Sequence, residues 1–381
     1  MSTPAPTPLH HHIAQLVARH GPLPFSTVMD SALYDETHGF YTAAGGAAGR
    51  RGDFITSPEV GPLFGAVIAR ALDSTWDELG RPDPFVVVEG GAGVGTLAVA
   101  VLAASPRCAS ALRYVMVERS PVLRARQRTH LAIAEPATAL GVPGGHDGPV
   151  VASLGELPSA RITGVVLANE LLDNLAFDLL ERTPDGWSEV RVGVDSASAD
   201  LRLNRHLVPA GDAARGAGER FAPAASVGAV VPWQRGAAEW IADAYALLDR
   251  GRLLILDYAV RTTAELGNRP VGEWLRTYRG HQRVDDPLED LGTADITVDV
   301  AADQLDAAVG HAAVVRTQAE LLRVHGIDDL VARGRREWTE RAAVGDLAAI
   351  KARSRVREAD ALLDPQGLGG FLVLQWSRGM S

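Results

Sequence analysis

The sequence predicts an α/β fold in which helices cover both faces of a parallel sheet. Apolar, β-branched segments read as buried strands, and helical patterns at 95–104 and 121–132 separate the first three of them. Such alternation is typical of parallel strands joined by crossover helices. A glycine-rich turn directly follows the first strand, as in many sheets of this class that bind a nucleotide. The predicted strands are 85–90, 112–118, 148–153, 162–170, 252–259 and 371–376.

Helical segments precede the sheet. Residues 10–36 predict two short helices interrupted by "GPLP", and residues 61–80 predict a helix with apolar residues at helical spacing, closed by Gly80 and Pro82. We therefore expect an N-terminal helical cover over residues 1–82 and a sheet domain over residues 83–381.

Two insertions interrupt the alternation, at about 177–232 and 260–298. The first begins with "FDLLERTPDGWSEVRVGV", which predicts a hairpin with an Asp-Gly turn. The Ala/Gly-rich stretch 196–226 that follows predicts a variable loop, and residues 260–297 predict a Gly/Arg-rich loop. A helix at 234–249 lies between the insertions, and further helices extend through residue 361.

Composition narrows the range of partners and locations. The chain of 381 residues is 46% hydrophobic and 22% charged, which is ordinary for a globular protein. Its formal net charge of -10 disfavours nucleic acid and acidic membrane surfaces, because such partners select basic faces. A single cysteine, Cys108, and the absence of an apolar run of roughly 18 residues lead us to expect a cytoplasmic protein.

The stretch "EGGAGVG" after the first strand predicts a cofactor site. Gly91, Gly93 and Gly95 let the backbone turn sharply and approach a ligand at the start of a helix. The spacing is acidic-x-G-x-G-x-G, with Glu89 in the acidic place, and differs from the dinucleotide fingerprint G-x-G-x-x-G. This form is the one that S-adenosylmethionine (AdoMet) methyltransferases use.

Glu118 supports a nucleotide-like cofactor. It ends the second strand, where a carboxylate accepts hydrogen bonds from ribose hydroxyls in sheets of this kind. The alternative is a solvated strand end with no ligand.

A third candidate site is "ANELLDN", at the end of the fourth strand. Asn169, Glu170 and Asp173 lie there, where the transferred methyl group is expected in a methyltransferase sheet. We take these three residues as the catalytic candidates. If the acceptor is a guanidinium, Glu170 with Asp173 could grip and orient it through charge-assisted hydrogen bonds. The alternative is that Glu170 caps a helix over residues 171–180.

These motifs resemble the MidA family of AdoMet-dependent methyltransferases, which includes the mitochondrial complex I assembly factor that methylates an arginine of a complex I subunit. The resemblance runs from about residue 12 to the C-terminus, with 196–226 as the main unmatched part. It implies a Rossmann-like AdoMet methyltransferase sheet with a helical N-terminal cover and inserted substrate-covering segments. The matching segments include "GDFITSPEVGPLFGAVIA", "VVVEGGAGVGTL", "VMVERSPVLRARQRTHL", "VVLANELLDNLAF" and "YRGHQRVDDPLEDLGTADITVDV".

The resemblance also assigns a role to "RRGDFITSPEVGPLFG", residues 50–65. It implies that this segment folds back over the cofactor pocket, with Asp53, Thr56 and Ser57 as cofactor contacts. Arg119 and Ser120, beside Glu118, belong to the same expected cofactor site. The alternative for the segment is an ordinary capped helix at Ser57-Pro58-Glu59.

The expected function is AdoMet-dependent methyl transfer to a protein arginine or a related nitrogen acceptor. A second hypothesis is methylation of a small molecule or peptide natural product, because Ala92 and Val94 stand where the family commonly has Pro and Arg. A third is a non-catalytic AdoMet-binding assembly factor. We also expect that the chain can form a homodimer.

Two further patterns are interpreted as surface features without a functional role. His10, His11 and His12 near the N-terminus are interpreted as surface residues, and no metal site is predicted. The Arg-rich region 333–357 has interleaved acidic residues and is interpreted as a solvated helix face.

Overall fold

The computed structural model of the protein describes residues 6–43, 56–141, 148–195, 201–279, 282–284, 286–341 and 347–380. They divide into two compact units. The sheet unit comprises the described residues of Ile55–Glu170, Asp243–Asp257 and Ala313–Ser381. The second unit comprises those of Met1–Phe54, Leu171–Ala242 and Tyr258–Ala312.

Seven strands form the main sheet of the sheet unit, in the order β3-β2-β1-β4-β5-β7-β6. The first five are parallel, whereas β7 runs antiparallel to both β5 and β6. The expectation of a parallel sheet is therefore correct for β1–β5 and wrong for β7. The helices between β6 and β7 bring the chain back to the sheet at the edge where the parallel strands end, so that β7 runs in the opposite direction. The strands are β1 (Phe85–Gly90), β2 (Leu112–Val117), β3 (Val150–Leu154), β4 (Ile162–Asn169), β5 (Leu248–Asp257), β6 (Val314–Thr317) and β7 (Leu372–Arg378).

The strand order reverses beside β1. The chain adds β2 and β3 on one side of β1 and then places β4 on the other side, so that Gly90 pairs with Ala168. In parallel sheets, ligands bind outside the carboxyl ends of the strands at such a reversal. The glycine turn and the Asn169–Glu170 segment thus leave the sheet at neighbouring strand ends.

Helices pack around this sheet with a common apolar core. Phe64, Ile68 and Leu72 lie on one stripe of the helix Pro62–Glu78 and are buried together with Phe85 and Tyr114 of the sheet. The helices of this unit are Ser57–Val60, Pro62–Glu78, Thr96–Ala103, Pro121–Gln127, Pro136–Leu140, Gln318–Val324, Ile327–Arg341, Leu347–Leu363 and the 3₁₀ turn Leu368–Gly370; Arg235–Leu247 starts in the second unit and ends here.

The second unit contains three small sheets. The largest has the order Leu23–Pro24, Gly186–Val194, Asp178–Thr183, Val230–Trp233, with Leu203–Pro209 also paired to Gly186–Val194. The others pair Ala259–Val260 with Val300–Ala301, and Gln282–Val284 with Leu275–Arg279 and Asp295–Val298. The helices are Pro8–His20, Phe25–Tyr34, Phe40–Ala43, Asp212–Phe221, Thr263–Gly267, Val271–Trp274 and Ala302–Val309, with a 3₁₀ turn at Leu172–Asn174.

Most predicted elements are confirmed, including the two N-terminal helices, the helix after residue 61 and the hairpin at 178–194. The variable loop predicted for 196–226 is wrong within its described part, which contains the strand Leu203–Pro209 and the helix Asp212–Phe221. The small residue Gly218 explains the misreading: a Cβ there would lie 2.5 Å from the ring of Trp187. Glycine permits this close packing, although composition alone suggests a loop. The loop predicted for 260–297 likewise contains short helices and strands.

The interpretation of His10 as a surface residue is also wrong. Its side chain is buried, and Nε2 lies 2.8 Å from the carbonyl oxygen of Leu288. Burial lowers the pKa of this imidazole. His11 and His12 are exposed, as expected. Throughout the described ranges, no helix is both long and apolar enough to span a membrane.

Candidate active site

The glycine turn leaves β1 with left-handed backbone at three positions. The φ angles are 66° at Gly91, 53° at Gly93 and 86° at Gly95, which precedes the helix Thr96–Ala103. Glycine adopts this region without the penalty that a Cβ would bring. Among the described residues other than its chain neighbours, no heavy atom lies within 4 Å of the place where a Cβ would stand on Gly93. The turn therefore has an open side at Gly93, where a ligand can approach the backbone.

The Glu118 carboxylate lies directly beside this turn. Its Oε2 accepts a hydrogen bond from the backbone N–H of Gly93 at 2.9 Å, and its Oε1 accepts one from the N–H of Ser120 at 2.8 Å. Burial raises the pKa of Glu118, and the two N–H donors oppose that shift. A carboxylate has about four acceptor positions. Two remain for ligand hydroxyls.

Gln127 is a site residue that the sequence interpretation missed. Its fully buried side chain donates from Nε2 to the carbonyl oxygen of Gly93 at 2.8 Å and accepts at Oε1 from the hydroxyl of Ser153 at 2.6 Å. Gly93 is thus held at its N–H by Glu118 and at its carbonyl by Gln127. No motif in the sequence predicts the contact between Gln127 and Ser153, because Ser153 lies in β3 and Gln127 lies at the end of a helix.

Glu89 lies on the buried side of the turn. Its pKa is raised to about 8: desolvation is the main cause, the hydroxyl of Tyr114, which donates to Oε2 at 2.8 Å, opposes the shift, and the charge of Glu118 adds to it. Glu89 therefore holds its proton at neutral pH. Tyr114, a residue of β2, is a second partner that the sequence did not suggest.

Arg119 and Ser120 have different surroundings. Ser120 is buried and caps the helix Pro121–Gln127, accepting at Oγ from the N–H of Leu123 at 3.4 Å. Arg119 is exposed, and its carbonyl oxygen accepts from Nη1 of Arg124 at 2.8 Å. Their expected contact with the cofactor stays a prediction.

The second cluster lies after β4. Glu170 has a φ of 52°, an uncommon value for a residue with a side chain, and its N–H donates to the carbonyl oxygen of Leu256 at 2.9 Å. Its Oε1 accepts from Nδ2 of Asn169 at 2.9 Å and from the N–H of Ser57 at 3.3 Å. Within the described part of the chain, the buried Oδ1 of Asn169 has no hydrogen-bond partner. Backbone strain of this kind concentrates at functional sites.

The alternative role for Glu170 as a helix cap is wrong. Residues 171–180 form no α-helix, because a 3₁₀ turn at Leu172–Asn174 is followed by a strand that begins at Asp178. The 3₁₀ turn has no side-chain cap.

Thr56 and Ser57 begin the short helix Ser57–Val60. The expected capped helix is confirmed, with Thr56 as its cap: the N–H of Thr56 donates to Glu59 at 3.3 Å. Ser57 is fully buried and reaches Glu170 through its N–H. Asp53, the third residue that the resemblance assigned here, lies outside the described residues, as do residues 50–55 of the segment 50–65 that it belongs to.

Asp173 belongs to the second unit, on the 3₁₀ turn, and is buried. Next to it in sequence, Asn174 accepts at Oδ1 from the hydroxyl of Tyr41 at 3.1 Å and donates from Nδ2 to Asp295 at 3.1 Å. The Tyr41 hydroxyl also lies 3.2 Å from Asp295, and burial followed by the charge of Asp295 raises its pKa well above the usual value. Sequence analysis did not single out Tyr41, Asn174 or Asp295.

Comparison with known proteins decides the family. A profile of S-adenosyl-L-methionine-dependent methyltransferases matches residues 67–320, about two thirds of the chain. The chain belongs to this family. The resemblance seen in the motifs is confirmed, and so are the methyltransferase activity and its AdoMet cofactor.

Two relatives and one crystal structure illustrate the match. The alignment with the mitochondrial protein arginine methyltransferase NDUFAF7 of Mus musculus shows 30% identity over 322 residues and covers 77% of this chain and 68% of that protein. The alignment with its Drosophila melanogaster homologue shows 30% identity over 300 residues and covers 74% of this chain and 65% of the fly protein. The match thus spans slightly less than two thirds of the fly relative. A protein from Burkholderia thailandensis, whose crystal structure contains bound S-adenosyl-homocysteine, gives a TM-score of 0.78 at 28% identity; the match covers 100% of this chain and 96% of that protein.

The described residues of this methyltransferase fit the cofactor. The open side of Gly93 admits a ligand to the backbone, and the remaining acceptor positions of Glu118 suit a pair of ribose hydroxyls. When bound, AdoMet supplies a methyl group on a positively charged sulfur. The residues of the chain then have to hold the nucleophile in line with that methyl group and exclude water.

Proposed function

We propose that the methyltransferase acts on a protein arginine or a related nitrogen acceptor. The carboxylate of Glu170 is the observation that carries this proposal. It lies at the carboxyl end of β4 and is held at Oε1 by Asn169 and Ser57. The names of the mammalian and fly relatives support an arginine acceptor.

Glu170 would serve such an acceptor in two ways. A guanidinium is protonated at neutral pH, and a fixed carboxylate orients it through charge-assisted hydrogen bonds. The N–C bond would form as the bond between the methyl carbon and the sulfur breaks and S-adenosyl-homocysteine leaves, and the acceptor nitrogen would then lose a proton, which the same carboxylate can accept. We further propose Asp173 as a second acceptor-binding carboxylate, because it follows Glu170 closely in sequence and is buried.

A labelling experiment tests the acceptor class. The purified protein is incubated with AdoMet that carries a labelled methyl group and with lysate from which small molecules have been removed, and separately with the small-molecule fraction. We expect label in protein, released as methylarginine after acid hydrolysis. Label only in the low-mass fraction would support the second candidate, a small-molecule or peptide acceptor, for which the side chains of Ala92 and Val94 in the glycine turn are the argument. No label in either fraction would favour a non-catalytic assembly factor and contradict the proposal.

Location and assembly are further proposals. The low cysteine content favours a reducing compartment, and we propose the cytoplasm, although the named relatives are mitochondrial. Cell fractionation tests the location. Light scattering of the purified protein tests the proposed homodimer.

A further inference from the structure

Gln318 is a buried polar residue of the sheet unit that no step so far has used. It is the first residue of the helix Gln318–Val324, and its side chain is fully buried. Its Oε1 accepts from the hydroxyl of Ser57 at 2.9 Å, and its Nε2 donates to the carbonyl oxygen of Leu362 at 3.3 Å. Its backbone N–H donates to the carbonyl of Phe371 at 2.8 Å. Both ends of this amide are therefore occupied.

The neighbours of Gln318 fix the direction of its amide group. The carbonyl of Leu362 can only accept, so the NH₂ end must face it and the oxygen must face Ser57. The hydroxyl hydrogen of Ser57 then points to Gln318. A rotated amide would place two acceptors opposite each other at Leu362, which is costly in a buried position.

Ser57 consequently uses its two donors in two directions. The hydroxyl is bound to Gln318, and the backbone N–H is bound to Oε1 of Glu170 at 3.3 Å. Because Ser57 has no exposed surface, water does not compete for either bond. A shift of Ser57 would move a donor that holds Oε1 of the Glu170 carboxylate.

We propose that Gln318 is a positioning residue for methyl transfer, which acts through Ser57 to fix the carboxylate of Glu170. This inference rests on the proposed function, since it assumes that Glu170 orients the acceptor. Gln318 belongs to the helix after β6 and would touch neither cofactor nor acceptor. It has a counterpart in Gln127, which is equally buried but holds Gly93 in the cofactor turn. Replacement of Gln318 should therefore lower kcat, whereas replacement of Gln127 should weaken AdoMet binding.

The test uses Gln318→Met, which keeps the length of the side chain and removes both of its hydrogen bonds. We expect kcat with the acceptor found by labelling to fall about tenfold to a hundredfold, as for the loss of precise orientation, and the Kd for AdoMet to stay within about twofold. Gln127→Met should give the opposite split, with weaker AdoMet binding. Ser57→Ala removes only the hydroxyl and serves as a second variant if Gln318→Met folds poorly; it should lower kcat in the same way.

Gln304→Met is the matched control for stability. Gln304 is also a buried glutamine, with its amide bound to the N–H of Gln234, the carbonyl of Pro232 and the hydroxyl of Thr263, but it has no hydrogen bond to a site residue. We expect it to lower the melting temperature about as much as Gln318→Met while kcat is retained. An equal loss of kcat in both variants would overturn the positioning role.

Measurements on double and single variants can test the role of Gln318 separately from the proposed function. If Gln318 acts through Ser57, the double variant of Ser57→Ala and Gln318→Met should lose no more kcat than either single variant. Amide hydrogen exchange of the Ser57 N–H provides a readout without turnover, and it should accelerate in Gln318→Met. Normal turnover of Glu170→Gln would contradict the proposed function. An impaired Glu170→Gln together with a fully active Gln318→Met and an unchanged Ser57 exchange rate would contradict this inference alone.

Discussion

The backbone N–H of Gly93 donates to Oε2 of Glu118 across 2.9 Å, so that one carboxylate holds the glycine turn that we propose as part of the cofactor site. The two residues are 25 positions apart and come from successive strand ends. We propose that Glu118 also binds the ribose of AdoMet, so that its loss would affect both the glycine turn and cofactor binding.

We expect Glu118→Ala to weaken AdoMet binding by about tenfold to a hundredfold. A single charge-assisted hydrogen bond to a ribose hydroxyl contributes roughly 1.5–3 kcal/mol, which already accounts for this range, and the loss of a second bond or of the support of Gly93 would increase the effect. Titration calorimetry with AdoMet and with its demethylated product measures the effect. Glu219→Ala, an exposed carboxylate in the helix Asp212–Phe221, is the charge-matched control and should bind normally. Unchanged affinity of Glu118→Ala would remove Glu118 from the site.

Substitution by alanine should have different effects on stability and AdoMet binding at two glycines of the sheet unit. A Cβ on Gly164, in β4, would lie 1.9 Å from the backbone oxygen of Val86, so we expect Gly164→Ala to be insoluble or to unfold well below the wild-type melting temperature. The added methyl group of Gly93→Ala meets no atom of the described residues beyond its chain neighbours and should cost only roughly 1–2 kcal/mol in backbone strain, whereas AdoMet affinity should fall because this methyl group occupies the open side of the turn. Thermal melting and calorimetry separate the two effects. A soluble, cofactor-binding Gly164→Ala would contradict the strand packing.

Glu89 should make the ligand-free protein less stable as the pH rises. Its pKa is raised from 4.5 to about 8 in the folded protein, so between these values the folded state holds a proton that the unfolded state has released. The contribution of Glu89 to the free energy of unfolding is therefore fully present below about pH 4.5. It decreases by up to about 1.4 kcal/mol per pH unit as the pH rises to about 8. Glu89→Gln cannot titrate and should lack this loss.

Urea unfolding at pH 6 and pH 9 measures the difference. Because Glu118 and Asp303 also have raised pKa values, only the difference between wild type and Glu89→Gln at each pH is informative. The variant should gain stability relative to wild type on going from pH 6 to pH 9. A constant difference would show that Glu89 is ionised in the folded protein at both pH values.

Glu170→Gln should separate catalysis from structure. The variant keeps the size of the side chain but loses the negative charge that orients a cationic acceptor, so turnover should drop by orders of magnitude while the melting temperature and AdoMet affinity remain near wild type. Glu170→Gly relieves the backbone at a φ of 52° and should be equally inactive without being markedly less stable, since relief of strain offsets the flexibility of glycine. Wild-type turnover of Glu170→Gln would contradict the proposed function, which rests on the carboxylate of Glu170.

The parts of the candidate site that depend on residues close together in sequence could be predicted. The strand 85–90, the left-handed glycines after it and a carboxylate at the end of the next strand each follow from residues within a few positions of one another. Strand-to-turn-to-helix patterns depend on short-range backbone preferences, so the sequence by itself determined the parallel part of the sheet and the cofactor turn. The hairpin at 178–194 was likewise predictable from alternation and its turn residues.

Tertiary structure decided the remainder, because the relevant partners are far apart in sequence. Gln318 meets Ser57 across 261 positions and Tyr41 meets Asn174 across 133, and no periodicity marks such pairs. The antiparallel direction of β7 depends on the side from which the last helices return the chain, and the helix at 212–221 depends on Gly218 packing against Trp187. The sequence supplied polar and small side chains at these positions, but only folding brought together the buried groups that must satisfy one another's hydrogen bonds once water is excluded.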